Sequence, residues 1–450
     1  MQLDSQFKNK KILLTAFSTA KTSESVALYD YLKAHGCSDI STLFWGGDEI
    51  AKDIPEDVSK IEINSPKDIK NFDKSDFDIV FRHTSVPPRD VAGAKETMTA
   101  TQLFFNECKA PIIGVTGTKG KGTTSTLITK MLERASKKTW LVGNVGLPAL
   151  GLTSQIEQSE DSIVVYEMSS FQLWDLDKSP ETAVVLLIEP DHLDVHTDFD
   201  EYVNAKKNIA KFQKEDDLVV FHPTNQRSQQ IADASPAKNK KRYLTSEGAY
   251  VKDGNIIIED TMICGVNEVG LPGEHNLQNV CAAITAVWKY IQDVSAIRKA
   301  ITEFHGLEHR LEKVKTVNGI TFYNDSFSSA PAAAIAAVKS FSNPEIIILG
   351  GHDKGGDYAG LARELSQQKN IKQALLIGQN KNKIAAELST LGFNKYMIIE
   401  TTDFESIIKA AYRMANEGDI VLLSPASASF GMFKNFYERG RQFKEIVNKL

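Results

Sequence analysis

The chain reads as an α/β protein built in three consecutive blocks, and three observations predict it. Short apolar runs alternate with amphipathic segments along most of the sequence, the pattern of parallel strands covered by helices. Residues 242–271 break that rhythm with short alternating strands punctuated by Gly248, Gly254 and Gly265, which predicts a small antiparallel patch. With 450 residues, the chain exceeds what one hydrophobic core organises.

The first block, 1–109, has apolar strand runs at Lys11–Phe17, Ile40–Trp45 and Asp78–Phe81, with helical patterns at Glu24–Ala34 and Met98–Glu107. This predicts a small Rossmann-like domain. Its first turn, Phe17-Ser18-Thr19-Ala20-Lys21-Thr22-Ser23, lacks Gly-x-Gly-x-x-Gly, so a dinucleotide site is not supported. The second block, 110–307, opens with the buried-strand run Pro111–Thr116 and continues with strands at Ser162–Tyr166, Ala183–Ile188 and Leu218–Phe221. Helical patterns cover Phe199–Phe212 and Asn276–Trp288, and the polar stretch Ala234–Lys241 reads as a loop. The third block, 308–450, carries strands at Ile320–Tyr323, Ile346–Leu349, Ala374–Ile377, Tyr396–Ile399 and Ile420–Leu423, and a last helix from Asn435 to Leu450. It predicts a second doubly wound α/β domain, with its ligand crevice beyond the carboxyl ends of the strands.

Bulk properties exclude several classes. Apolar content of 42% and charged content of 24% are ordinary for a soluble enzyme. A net charge of -6 argues against a nucleic-acid partner, because nothing neutralises a row of phosphates. The run Ile12–Leu14 is too short for a signal core or a membrane span. Cys37, Cys108, Cys264 and Cys281 form no Cys-x-x-Cys pair, which fits a reducing cytoplasm better than a disulfide framework or zinc ribbon.

The chemistry starts at Gly117-Thr118-Lys119-Gly120-Lys121-Gly122-Thr123-Thr124, between the strand ending at Thr116 and a helix predicted over Thr124–Ala135. Backbone N–H groups of such a loop face phosphate oxygens, helped by the positive end of the helix dipole. Lys121 is placed to reach the β- and γ-phosphates and the Thr123 hydroxyl to bind Mg²⁺. The spacing is compressed relative to a Walker A element, and Gly122 separates Lys121 from the hydroxyl. These residues predict phosphate binding by the second block, the expectation behind a central P-loop ATPase-type domain.

Glu167 stands at a strand end beside this loop, where a further Mg²⁺ ligand belongs. Asp191-His192-Leu193-Asp194-Val195-His196 follows the next strand, which makes His192 the stronger imidazole candidate and His196 the weaker. Lys206 and Lys207 lie together on a helix, and spacing singles out neither. In the third block Asp325, Lys354, Ser427 and Ser429 follow strands and should gather at one sheet edge. Arg310 lies near the block junction.

Taken in order, these motifs resemble those of the Mur ligases from about Pro111 to the carboxyl terminus. The resemblance rests on residues 117–124, Gly-Asn-Val-Gly-Leu-Pro-Ala (143–149), Glu-Met-Ser-Ser-Phe-Gln-Leu (167–173) and Asp-His-Leu-Asp (191–194). It continues through Gly-Glu-His-Asn-Leu-Gln-Asn (273–279), His-Arg-Leu-Glu (309–312), Asn-Asp-Ser (324–326), Leu-Leu-Ser-Pro-Ala-Ser-Ala-Ser-Phe (422–430) and Lys-Asn-Phe-Tyr-Glu-Arg-Gly (434–440).

The resemblance implies a UDP-substrate domain, a central ATPase domain and an amino-acid-binding domain. It implies a cytoplasmic, monomeric, ATP- and Mg²⁺-dependent ligase joining glutamate to UDP-N-acetylmuramoyl-L-alanine through an acyl phosphate. Residues 117–124 would hold ATP, with Asn279, Arg310 and Asp325 contacting it. Thr123 and Glu167 would bind one Mg²⁺, and His192 with a carbamylated Lys206 a second, making Lys121, His192 and Lys206 the catalytic set. Asn144 and His192 would lie near the muramoyl substrate, and Lys354, Ser429 and Phe436 around glutamate.

Three departures stand out. The loop form with Lys119 and Gly122 is similar to that of folylpolyglutamate synthases, Phe327 replaces a usual lysine, and the first-block turn lacks its glycines. They keep open a folylpolyglutamate synthase-like ligase, an L-glutamate-adding variant, and a non-catalytic nucleotide-binding protein.

Overall fold

The computed structural model describes residues 6–17, 24–45, 54–144, 147–157, 161–271, 273–353, 357–429 and 431–450. The turn Ser18–Ser23 and Lys354 lie outside the described residues. The chain divides into two compact units, 1–304 and 305–450.

The first unit holds two parallel sheets. One contains β1 (Lys11–Leu14), β2 (Asp39–Phe44), β3 (Ser59–Glu62), β4 (Ile79–Phe81) and β5 (Thr97–Met98), ordered β3-β2-β1-β4-β5. The strand order reverses between β1 and β4, which opens a crevice at their carboxyl ends. The other sheet contains β6 (Ile112–Thr116), β7 (Lys138–Gly143), β8 (Ser162–Glu167), β9 (Thr182–Val185), β10 (Leu218–Phe221) and β11 (Asn239–Arg242), ordered β11-β10-β9-β6-β8-β7. Here the reversal falls on β6, so the loops leaving β6, β8 and β9 share one edge. β6 can lie at this centre because Ile112, Ile113, Val115 and Thr116 are buried on both faces, as a parallel strand under helices must be. One hydrophobic core runs through both sheets, and the ring of Tyr166 on β8 meets Phe104 and Phe105 of the helix Ala100–Glu107 at 5.7 and 5.9 Å.

Residues 250–265 form the expected antiparallel patch, β12 (Tyr250–Lys252), β13 (Asn255–Ile258) and β14 (Thr261–Gly265). The second unit carries β15 (Glu312–Val317), β16 (Ile320–Asn324), β17 (Glu345–Gly351), β18 (Ile371–Gly378), β19 (Tyr396–Ile398) and β20 (Ile420–Leu423). Their order is β15-β16-β20-β17-β18-β19, parallel except for β15 against β16.

Two expectations require correction. The stretch Ala234–Lys241 is not wholly loop, because Asn239–Arg242 pairs in parallel with β10 as an edge strand. The helix after the glycine-rich loop begins at Lys121 rather than Thr124, so Lys121 and Thr123 sit in its first turn. β3, β5, β7 and β15 were not among the expected strands. β3, β5 and β15 are short or half-exposed strands whose pairing partner, rather than their apolar content, makes them strands, whereas β7 carries the apolar run Trp140-Leu141-Val142.

Candidate active site

The glycine-rich loop leaves β6 at the reversal of the second sheet and runs into the helix Lys121–Arg134. That helix starts on Gly120 at φ 84°, and no side chain caps its first turn. A helix start of this kind directs its N–H dipoles toward an anion, and no side-chain cap bond covers it, unlike the helix Phe199–Lys211, where Asp198 accepts from the Glu201 N–H. Gly120 is required twice, by its left-handed backbone and because a Cβ would run into the Asn279 side-chain oxygen. Asn279 is buried on the helix Glu274–Val287 and accepts from Thr124 Oγ1 at 3.3 Å, so the sequence-expected Asn279 does border the loop.

Lys121 curls over its own loop and donates to the carbonyls of Gly117 and Thr118 at 3.0 and 3.1 Å. Lys206, 1% exposed, reaches the same place from the helix Phe199–Lys211. Its Nζ donates to Thr116 Oγ1 at 3.1 Å and to the Gly117 carbonyl at 3.0 Å, and lies 4.8 Å from the centre of the Tyr202 ring. Burial, then the charge of Lys121, hold the Lys206 amine well below the ordinary lysine range. Lys207 instead turns outward and donates to Asn204. Successive helix positions point about 100° apart, and that phase separates the two lysines.

Glu167 ends β8, paired directly beside Val115 of β6, and is 5% exposed. Asn144 directly follows β7, the strand paired alongside β8, and its N–H donates to the Glu167 carbonyl at 3.4 Å. Thr118 fastens the loop to the segment leaving β9, donating from Oγ1 to the Glu189 carbonyl at 3.0 Å with Tyr202 OH also 3.0 Å away. The three loops thus meet at one edge, as the strand order requires.

The two histidines behave differently. His192 adopts φ 54°, keeps 47% of its side chain exposed, and sits 3.6 Å from the Asp191 carboxylate. His196 is 2% exposed, with Nε2 3.0 Å from Ser170 Oγ and its ring against Phe171 (5.4 Å) and Trp174 (4.0 Å). His196 is therefore a packed strut between the loops after β8 and β9, with burial lowering its pKa. Among the described residues, no three His, Cys, Asp or Glu side chains form a ready metal cluster.

In the second unit, Asp325, Ser427 and Ser429 do gather at the carboxyl ends of the adjacent strands β16 and β20. Asp325 accepts from Ser424 Oγ at 2.7 Å, from Ser328 Oγ, and from the Leu311 N–H at 3.1 Å, and burial raises its pKa. Arg310 is exposed, its guanidinium 5.6 Å from the Phe327 ring, and that ring meets Phe436 at 5.3 Å. Arg439 escaped the sequence reading, although it lies in a quoted motif. It is 1% exposed and donates to Ser326 Oγ (2.9 Å), Ser326 O (2.8 Å) and Ser427 O (3.1 Å), which ties the two loops together.

Residues 115–287 match the Mur ligase middle domain, and residues 309–427 the Mur ligase glutamate ligase domain. The chain is 39% identical to UDP-N-acetylmuramoylalanine–D-glutamate ligase of Acetivibrio thermocellus, across 99% of this chain and 97% of that one. The chain belongs to the Mur ligase family. A second relative, the same-named ligase of Clostridium kluyveri, is 38% identical over 84% of each chain. Among solved structures the Mur ligase fold recurs in MurF from Acinetobacter baumannii (TM-score 0.58, 14% identity, 99% and 92% covered). It recurs also in MurF from Thermotoga maritima in complex with ADP (0.53, 15%, 99% and 97%). Folylpolyglutamate synthase from Mycobacterium tuberculosis shares it over 76% of this chain (0.53, 14% identity, 92% of that chain covered), a likeness of fold alone. In this Mur ligase no described helix is long and apolar enough to cross a membrane.

Proposed function

We propose that this protein is an ATP-dependent ligase that adds D-glutamate to UDP-N-acetylmuramoyl-L-alanine in peptidoglycan precursor synthesis, releasing ADP and phosphate. The observation that carries the reading is the convergence of Lys121 and buried Lys206 on the phosphate loop at the reversal of a parallel sheet. The D-glutamate ligases named above support the choice of substrates over a folate or L-glutamate. In this reading 1–109 serves the UDP-substrate, 110–307 ATP, and 308–450 the amino acid. The four cysteines, none in a disulfide, suit a reducing cytoplasm, and the protein acts as a monomer.

The terminal alanine carboxylate attacks the γ-phosphorus of ATP and ADP leaves, giving an acyl phosphate. The glutamate amine then adds to the activated carbonyl, and phosphate departs from the tetrahedral intermediate with the amide formed. Lys121 leaves its loop carbonyls for the phosphates, and the N-terminal end of the helix Lys121–Arg134, with its positive dipole, offsets charge as it redistributes. Asn279, Arg310 and Asp325 serve ATP, Asn144 and His192 the muramoyl substrate, and Lys354, Ser429 and Phe436 glutamate.

Mg²⁺ suits the donors present, because it takes one or two carboxylates with hydroxyl, water and phosphate oxygens rather than a full protein cage. Thr123 and Glu167 would hold one ion, and His192 with Lys206 another; bound there, Mg²⁺ neutralises phosphate charge. A lysine becomes an oxygen donor by carbamylation: the neutral amine attacks CO₂, a C–N bond forms and a proton leaves. The depressed basicity of Lys206 supplies that neutral amine.

The test is phosphate release with UDP-N-acetylmuramoyl-L-alanine or a folate, each with D- or L-glutamate. Release is expected with the UDP-sugar and D-glutamate only; release with folate alone overturns the assignment.

A further inference from the structure

Arg82 follows β4 at the strand-order reversal of the first sheet, yet its side chain points into the second sheet's territory and is 0% exposed. Its Nε and Nη2 donate to both carboxylate oxygens of Asp175 at 2.7 Å, Nη2 to the Phe171 carbonyl at 3.0 Å, and Nη1 to the Val86 carbonyl at 2.7 Å. A planar guanidinium fits this two-point pairing where an ammonium cannot. Phe171 lies four residues beyond Glu167, so the clamp closes on the segment directly after the strand end that carries this carboxylate.

A second arginine from the same strap grips the other loop. Arg89 donates to the Val195 carbonyl at 2.7 Å and to Glu201 at 3.4 Å, with its guanidinium 5.7 Å from the Trp174 ring. Val195 lies three residues beyond His192. The gripped turns are locked to each other by His196 on Ser170. The strap 82–89 of the first sheet therefore fixes both loops that carry the candidate metal ligands, Glu167 and His192.

We infer that Arg82 and Asp175 are positioning residues for the metal–nucleotide site, with Arg89 as a weaker second grip. This rests on the placement of that site proposed above. The pair touches neither ATP nor metal; it holds the turn whose upstream carboxylate does. Residues that orient metal ligands in this way usually change metal affinity about 10–100-fold when altered.

The experiment measures Mn²⁺ binding by electron paramagnetic resonance, with the non-hydrolysable analogue AMPPNP, in the full chain and in Asp175→Asn, Arg82→Lys and Arg89→Ala. Steady-state kinetics with the UDP-sugar and D-glutamate and the thermal midpoint accompany it. Asp175→Asn and Arg82→Lys are expected to weaken Mn²⁺ binding about tenfold or more and to lower kcat, while KM for the UDP-sugar stays within about twofold. Arg89→Ala should shift Mn²⁺ binding the same way by less.

Unaltered Mn²⁺ affinity in folded Asp175→Asn overturns the inference, as does a change confined to KM for the UDP-sugar. If Arg82→Lys does not fold, Asp175→Asn and Arg89→Ala decide, since those side chains are 25% and 46% exposed. Absence of AMPPNP-dependent Mn²⁺ binding in the unaltered protein would instead overturn the underlying site assignment.

Discussion

Lys121 and Lys206 share one acceptor: both donate to the Gly117 carbonyl, each at 3.0 Å. Two cations on one carbonyl repel each other, and the better buried of them, Lys206, yields its charge more readily. The same contact parks Lys121 at the mouth of the phosphate loop.

Lys121→Ala is therefore expected to cut phosphate release at least 10²–10³-fold, roughly the loss found when one transition-state charge donor is removed. Its thermal midpoint should stay close to the parent's, because Lys121 is only partly buried. Retained turnover would show that the triphosphate binds elsewhere.

Lys206→Ala should be inactive and partly rescued by a short carboxylic acid, which replaces the carbamate oxygens in the space left by the side chain. Mass spectrometry under bicarbonate should find about 44 Da added at Lys206, the CO₂ of the carbamate assigned there as an oxygen donor. A dispensable, unmodified Lys206 contradicts the carbamate.

Gly120→Ala confronts both a left-handed backbone and the Asn279 side chain. A stability loss of about 1–2 kcal/mol is expected for the backbone alone, with weakened ADP binding by calorimetry. Wild-type ADP affinity in this variant would mean that the loop rearranges freely.

Glu345 on β17 is fully buried, neither carboxylate oxygen has a hydrogen-bond partner among the described residues, and burial pushes its pKa to about 8. In the window between 4.5 and about 8 the folded chain holds a proton that the unfolded chain has lost. Raising the pH through that window therefore favours unfolding, by up to about 1.4 kcal/mol per pH unit from this group. Glu345→Gln should remove the slope, read as the difference between variant and parent in urea unfolding from pH 5 to 9. Parallel pH profiles would show that Glu345 does not stay protonated on folding.

Legibility followed the range of the interactions. The run Ile112–Thr116, the glycine loop and the helix behind it obey local rules, so the phosphate site could be read directly. Asp325 with Ser427 could be anticipated because parallel strands put their following loops on one edge. His196 could not be judged, since its packing against Phe171 and Trp174 and its contact with Ser170 come from other segments. Edge strand β11, Asn239–Arg242, is polar and gained its identity only from pairing with β10.

By itself the sequence determined the α/β class, the phosphate loop and the ordered motifs, because each is written in neighbouring residues whose backbone preferences and apolar period are local. The family resemblance named Lys206 over Lys207, but only the tertiary structure showed Lys206 turned inward, set Arg82 on Asp175 across 93 positions, and exposed Arg439 as the tie between two loops. Burial and pairing between distant segments are properties of packing, and no local spacing encodes which of two adjacent lysines turns inward.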